Sequence, residues 1–240
     1  MNGTEFIRGL RTLGNQRKTI PVVNATPRAA TFGYECHRCL RCCHDKRVQV
    51  NPYEVARLAR NRGVTVGEFR ERYTENATGT VLGRKSGGAC VFLGTDGCTV
   101  HEDRPLSCRL YPLDRHVNPD GDERYSYRIA HPQSEGVHLH QGTIDQFLES
   151  QGAKPFLRAA DAYYFWMCRV FDELSESMGD PAGEVPAIDL DDGMLWLDMD
   201  YALHRYCAEE GLPEPEDIED RATLHLTILN VLTDRIARRL

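Results

Sequence analysis

No run among the 240 residues is apolar for anything near the ~20 residues that a membrane-crossing helix needs. The first thirty residues carry Glu5, Arg8, Arg11, Arg17 and Lys18 with no apolar block between them, so no secretory signal is expected and the chain reads as cytoplasmic. A Gly-x-Gly-x-x-Gly or phosphate-binding loop, a Gly-x-Ser-x-Gly elbow and a His-Glu-x-x-His pair are all missing. Their absence removes the signatures of the commonest nucleotide-binding, serine-hydrolase and zinc-protease sites. No nucleic-acid-binding motif, internal repeat or low-complexity tract is present either. An even cysteine count is lacking too: there are nine, which fits badly with a disulfide framework in a reducing compartment.

What is there in excess is thiol. Cys36, Cys39, Cys42 and Cys43 follow one another in the order C-x-x-C-x-x-C-C, and Cys90, Cys98 and Cys108 lie in a later, β-rich stretch. The C-x-x-C spacing lets two sulfurs converge on a metal while the intervening amides point at them. Adjacent side chains diverge, so Cys42 and Cys43 do not both serve one mononuclear ion. One of them belongs to a second site, bridges, or packs. Seven thiols divide in two ways. A [4Fe–4S] cluster takes four, and the tandem spacing half-matches the ferredoxin run. Two tetrahedral Zn2+ sites take eight ligands, the eighth being His44 or His101, but the second C-x-x-C knuckle usual for zinc is missing. Spacing favours iron–sulfur and leaves zinc open. Cys168 and Cys207, alone in helical contexts, read as small core hydrophobes.

The expected fold is α+β: a small cysteine-rich metal-binding part with short strands, packed with a mostly helical C-terminal part. Residues 1–31 read as a helix (Thr4–Leu13) and an arm through Pro21 and Pro27, residues 32–135 as the metal-binding domain, and residues 136–240 as the helical region. Asn51, Pro52, Glu54 and Gly63 mark both ends of one helix, with Val55, Leu58 and Ala59 on its apolar face. Thr65 and Glu68 start a second. Asp96-Gly97 between Val91-Phe92-Leu93 and Thr99-Val100 signals a hairpin. "RPLSCRLYP" reads as a turn or one helical turn and "YSYRIAH" as a strand. Helices are expected over 143–150, 155–178, 199–211 and 216–239, the last with Ile218, Ala222, Leu226, Leu229, Leu232 and Ile236 at helical spacing.

"CHRCLRCC" followed by "ACVFLGTDGCTVHEDRPLSCRLYP" closely resembles the CxxCxxCC family of zinc- or iron-chelating proteins, the YkgJ-like cysteine-cluster proteins. Cys90, Phe92, Leu93, Cys98, Val100, Arg104, Pro105, Cys108, Arg109, Tyr111 and Pro112 fill the family's downstream block; His101 stands where a tyrosine is common. The resemblance covers residues 34–115, and residues 140–240 resemble nothing nameable. It implies a metal centre rather than one defined reaction. It extends to the flagellin lysine methylases, which share a similar cysteine cluster with a [4Fe–4S] centre, so methyl transfer or redox chemistry is the implied enzyme class.

Arg104 and Arg109 flank Cys108 and are the candidates to donate N–H bonds to cluster sulfides and offset a negative site. A salt bridge to Asp103 or Asp114 is the alternative. His138 and His140 would share a strand face, though a solvated loop is the expectation there. The aromatic stripe "DAYYFWMC" reads first as core and otherwise as a pocket wall. The net charge of -7 divides into a basic cysteine-bearing part and an acidic stretch from Asp180 to Asp220, both read as solvated faces. The partner is therefore a small-molecule or protein substrate of unknown identity, with no nucleic acid and no membrane, and the oligomeric state is open.

Overall fold

The computed structural model describes residues 25–37, 39–128, 131–178 and 190–238. The expected Thr4–Leu13 helix and the arm at Pro21 lie outside these residues. Among the described residues the chain forms six strands and eight α-helices, an α+β fold as expected.

Strand β1 (Thr31–Glu35) leads into the first cysteines. Helix α1 (Pro52–Arg62) begins where its sequence signals place it. The Asn51 side chain accepts from the Glu54 N–H and the Glu54 carboxylate accepts from the Asn51 N–H, a reciprocal cap that satisfies two otherwise orphaned donors. Gly63 closes the helix at φ 65°, a conformation costly for any residue with a Cβ. Helix α2 (Val66–Tyr73) starts with the same reciprocal cap, from Thr65 and Glu68.

The Asp96-Gly97 hairpin forms, but its strands β2 (Leu93–Gly94) and β3 (Gly97–Cys98) are two residues each. Helix α3 (Leu106–Arg109) is the single helical turn that carries Cys108. Strands β4 (Leu113–Val117) and β5 (Glu123–Tyr127) form a regular antiparallel ribbon, with β5 falling on the expected Tyr-Ser-Tyr stretch. Strand β6 (Val137–Thr143) then returns to β1, pairing Tyr34 with His138. His138 and His140 thus lie on a strand, not in a solvated loop.

Helices α4 (Ile144–Ser150), α5 (Lys154–Met178), α6 (Leu190–Leu197), α7 (Met199–Glu210) and α8 (Ile218–Ala237) complete the chain. Four of the five match the expected spans to within a few residues. The acidic stretch hid α6.

Helix α1 is the element most of the others touch: it packs on α2, α5, α7 and α8. Tyr53, Val55 and Leu58 are fully buried on it, each contributing roughly 1.5–3 kcal/mol of apolar burial. Its polar edge also reaches outward. Tyr53 donates to the Glu219 carboxylate on α8, and Arg57 grips Asp103 through two N–H groups at 2.8 and 2.9 Å. At the next seam the Val66 N–H donates to Asp200 on α7, which also holds Arg221 at 2.7 Å.

Within the helical region one fully buried histidine joins three helices. His225 on α8 meets the Leu195 carbonyl through Nε2 and the Tyr163 hydroxyl through Nδ1, both at 2.8 Å. A carbonyl only accepts, so Nε2 carries the proton and Nδ1 accepts from Tyr163. Burial holds the ring down to about 4 from the usual 6.5, against the opposing pull of the Leu195 bond. The folded state therefore binds fewer protons than the unfolded state over that window. The stability this histidine contributes is present above pH 6.5 and lost as pH falls through about 4. We predict that His225→Gln lowers stability at pH 7 by roughly 1–2 kcal/mol and flattens the decline between pH 6.5 and 4. Urea denaturation of both proteins across that range checks it; parallel curves would refute the assignment.

Candidate metal centre

The site begins at a strained corner. After Cys36 and Cys39 the backbone enters a left-handed conformation at Leu40, φ 65°, and then a 3-10 turn over Arg41–Cys43. A bulky residue at positive φ persists only where its surroundings hold it. Here the turn is closed by the Cys43 N–H donating to the Leu40 carbonyl at 3.0 Å. A Cβ at Gly97, in the β2–β3 hairpin, would lie 3.7 Å from Leu40 Cδ2, so the corner faces that hairpin.

Two backbone contacts then join the early and late cysteine blocks. The Cys90 N–H donates to the Cys43 carbonyl at 2.8 Å, and the Asp45 N–H donates to the Gly88 carbonyl at 3.0 Å. Gly88 sits at φ 79°, and a Cβ there would come within 2.4 Å of Asp45 Oδ1. Glycine is favoured there.

The third piece, α3, is fixed by a buried carboxylate. Glu54 is 3% exposed; while Oε2 caps α1, Oε1 accepts the Leu106 N–H at 2.6 Å and so seats the turn bearing Cys108. Burial pushes the Glu54 carboxyl up to about 7, opposed by those two N–H bonds and by Arg109.

These pieces enclose a cavity of about 190 Å³ lined by all seven cysteines of the two blocks. Val48, Leu82, Phe92 and Val100 supply apolar wall, and Lys46, His101 and Arg104 supply nitrogen. The Cys42 and Cys43 thiols hydrogen-bond each other, so one ionises more readily and the other is held protonated. Burial pushes Cys108 up to about 11 and also raises Cys90, with Lys46 opposing both. Cys42, Cys90 and Cys98 all raise Cys108, which places these thiols near one another.

Among the described residues no three His, Cys, Asp or Glu close on a single ion position. The thiols surround a volume several times the ~30 Å³ share of one water. A set of soft thiolate donors in this arrangement suits zinc or iron and is poorly suited to calcium or magnesium.

The other expected site residues divide. Arg104 lines the cavity, its guanidinium donating to the His101 carbonyl at 2.9 Å and Gln151 Oε1 at 3.0 Å. Arg109 does not line it. Its N–H groups go to the backbone carbonyls of Arg104, Gln151 and Glu102, and its plane lies 3.9 Å from the Phe156 ring centroid. Neither arginine takes the expected carboxylate partners, because Asp103 pairs with Arg57 and Asp114 with Arg128.

His101 lines the cavity; His44 is exposed and bridges to Ala89. Cys168 and Cys207 are buried in helices away from the cavity. The aromatic stripe is core at Tyr163 and Trp166, buried against α8, while Phe165 is exposed, and none of residues 161–168 lines the cavity.

Lys46 is the cavity residue the sequence reading overlooked. Its Nζ donates to the Ser107 carbonyl at 2.7 Å and lies 5.6 Å from the Tyr111 centroid. It sits in a basic run with Arg41 and Arg47, and nothing in the spacing tells which of the three turns inward.

Residues 35–130 match the family model CxxCxxCC, described as "Putative zinc- or iron-chelating domain". No curated protein and no solved structure matches the chain.

Removing the Glu54 carboxylate strands two N–H groups, that of Asn51 at the start of α1 and that of Leu106 on the turn bearing Cys108. We predict that Glu54→Ala costs about 3 kcal/mol, while the exposed Glu71→Ala stays within about 0.5 kcal/mol. Urea denaturation at pH 7 reads both, and equal midpoints would show that the carboxylate seats nothing.

Proposed function

We propose, on the premise that residues 35–130 form a zinc- or iron-chelating domain, that the cavity holds an iron–sulfur centre of the [4Fe–4S] type. One observation carries this reading: seven thiols are spread around a single roomy cavity, with no three of the described donors closed on one ion position. Tetrahedral zinc needs four donors converging within bonding distance of one point. A polynuclear group presents several metal atoms across its own width and is reached by thiols set apart.

In this reading Cys36, Cys39, Cys42, Cys43, Cys90, Cys98 and Cys108 are the available ligands. Lys46 and Arg104 offset the charge of the thiolates, and the apolar wall keeps water from competing for that charge. Bound there, the group would supply Lewis-acid or electron-transfer chemistry. Methyl transfer and redox reactions on a small-molecule or protein substrate fall within that range. Arg109 keeps a supporting part, tying the backbone that precedes Cys108, at Glu102 and Arg104, to Gln151.

The test is metal analysis with electron paramagnetic resonance on anaerobically purified protein. We expect a brown protein with broad visible absorption, iron and acid-labile sulfide, and a signal on reduction. Cys168→Ala and Cys207→Ala should retain the metal in full. A colourless protein carrying zinc in place of iron would refute the iron–sulfur reading and support the zinc-stabilised, non-catalytic module.

A further inference from the structure

Two cations on the cavity wall have different surroundings. Lys46 acts on the thiols, easing ionisation at Cys42, Cys90 and Cys108. Arg104 stands with His101 and Gln151, which line the same cavity. Its Nη1 donates to the His101 carbonyl at 2.9 Å and lies 3.3 Å from His101 Nδ1, while Nη2 donates to Gln151 Oε1 at 3.0 Å. These contacts fix the plane of the guanidinium. The carbonyl and amide oxygens that accept are neutral, so the positive charge stays in place, and a guanidinium has five N–H groups to give.

The groups behind Arg104 add to that charge. Arg57 is held by Asp103, and Arg109 by three backbone carbonyls. Burial first, then Arg104 and Arg57, hold Arg109 down to about 10, with Asp103 and Glu102 opposing. A corner where guanidiniums press on one another in this way gains from an added anion.

We infer that Arg104 grips the carboxylate of a small organic acid bound in the cavity beside the metal, with the apolar body of the acid along Val100, Pro105 and Phe147. This names a substrate class for the proposed function and rests on that reading. The planar fork of arginine matches a carboxylate or a phosphate. Each further negative charge costs more in a cavity already lined by thiols, which selects the singly charged head. The apolar lining selects the body.

The experiment uses the full chain, anaerobic and loaded with Fe2+ plus sulfide, with metal content and the visible spectrum read first. Acetate, butanoate, hexanoate and phenylacetate are the probes. Each is titrated by calorimetry into wild type, Arg104→Gln, Arg104→Lys and the exposed Arg72→Gln, and binding is referred to the metal each protein carries. We expect at least one acid to saturate the wild type. Its amide, and Arg104→Gln with the acid, should each bind more weakly by about tenfold or more. Arg72→Gln should bind the acid as wild type does. Circular dichroism checks folding. Arg104→Lys, which keeps the charge but not the fork, stands in if Arg104→Gln does not fold or load, and should also bind more weakly. Wild-type protein that loads normally yet saturates with none of the acids would overturn the proposal. So would an acid bound no better than its amide, or a folded Arg104 variant that binds as wild type does. Inorganic phosphate bound as tightly as the best acid would overturn the carboxylate class. Wild-type protein that takes up neither iron nor sulfide would instead overturn the metal reading beneath it.

Discussion

The hydrogen bond from the Cys90 N–H to the Cys43 carbonyl is where two sequence segments become one site. Each cysteine block is too short to bury a cavity by itself: the first is a single 3-10 turn, the second a hairpin of two-residue strands followed by one helical turn. Meeting across this bond and its neighbour from Asp45 to Gly88, they share walls. The chain between them must be closed into a loop, a cost that grows only slowly with length. Here the loop is filled by α1 and α2, whose caps are local and form without reference to the cysteines. Glycine at position 88 eases the contact, because the backbone there lies at φ 79°, a conformation that strains residues with a Cβ.

A site of many thiols also needs charge arranged around it, and α1 organises this. Its Glu54 reaches the Cys108 turn, its Arg57 removes Asp103 from the pool of free carboxylates, and its Tyr53 reaches α8. Elsewhere Arg70 pairs with Asp198, Arg115 with Glu123 and Asp161, and Arg221 with Asp200, while buried Arg109 is satisfied by three backbone carbonyls. Lys46 and Arg104 have no carboxylate partner among the described residues, and both face the cavity. Uncompensated cations at a partly buried wall are favourable where the opposing surface gains negative charge, as thiolates do.

Much of this was legible beforehand, for reasons that separate local from distant physics. The α1 and α2 ends were marked by Asn51–Glu54, Thr65–Glu68 and Gly63, because caps and terminators act within four residues. The cysteine sets were legible as a donor pattern, and both blocks do line one cavity. What failed was pairing at a distance. β6 is exposed along nearly its whole length, so the short Val137–His140 alternation marks no buried face. Its strand character comes from β1, whose sequence gives no sign of its partner. Arg109 lies off the cavity lining for a related reason. Its neighbour in sequence is Cys108, but the side chain turns away to three carbonyls that only the folded backbone brings together.

The spacing of the thiols around a cavity, rather than on a point, follows from what thiolates do to one another. Each ionised sulfur makes ionisation of the next less favourable, as Cys42, Cys90 and Cys98 do to Cys108 on top of its burial, and Cys43 is held protonated first by its hydrogen bond with Cys42 and then by burial and its thiol neighbours. A frame that forced four such groups together would carry that repulsion permanently. The bonded frame of turn, hairpin and α3 instead fixes direction while leaving volume, and Lys46 eases ionisation at Cys42, Cys90 and Cys108 alike. Binding can then supply the remaining convergence, releasing protons as sulfur–metal bonds form. Rigidity is concentrated in the backbone around Cys43, Cys90 and Cys108.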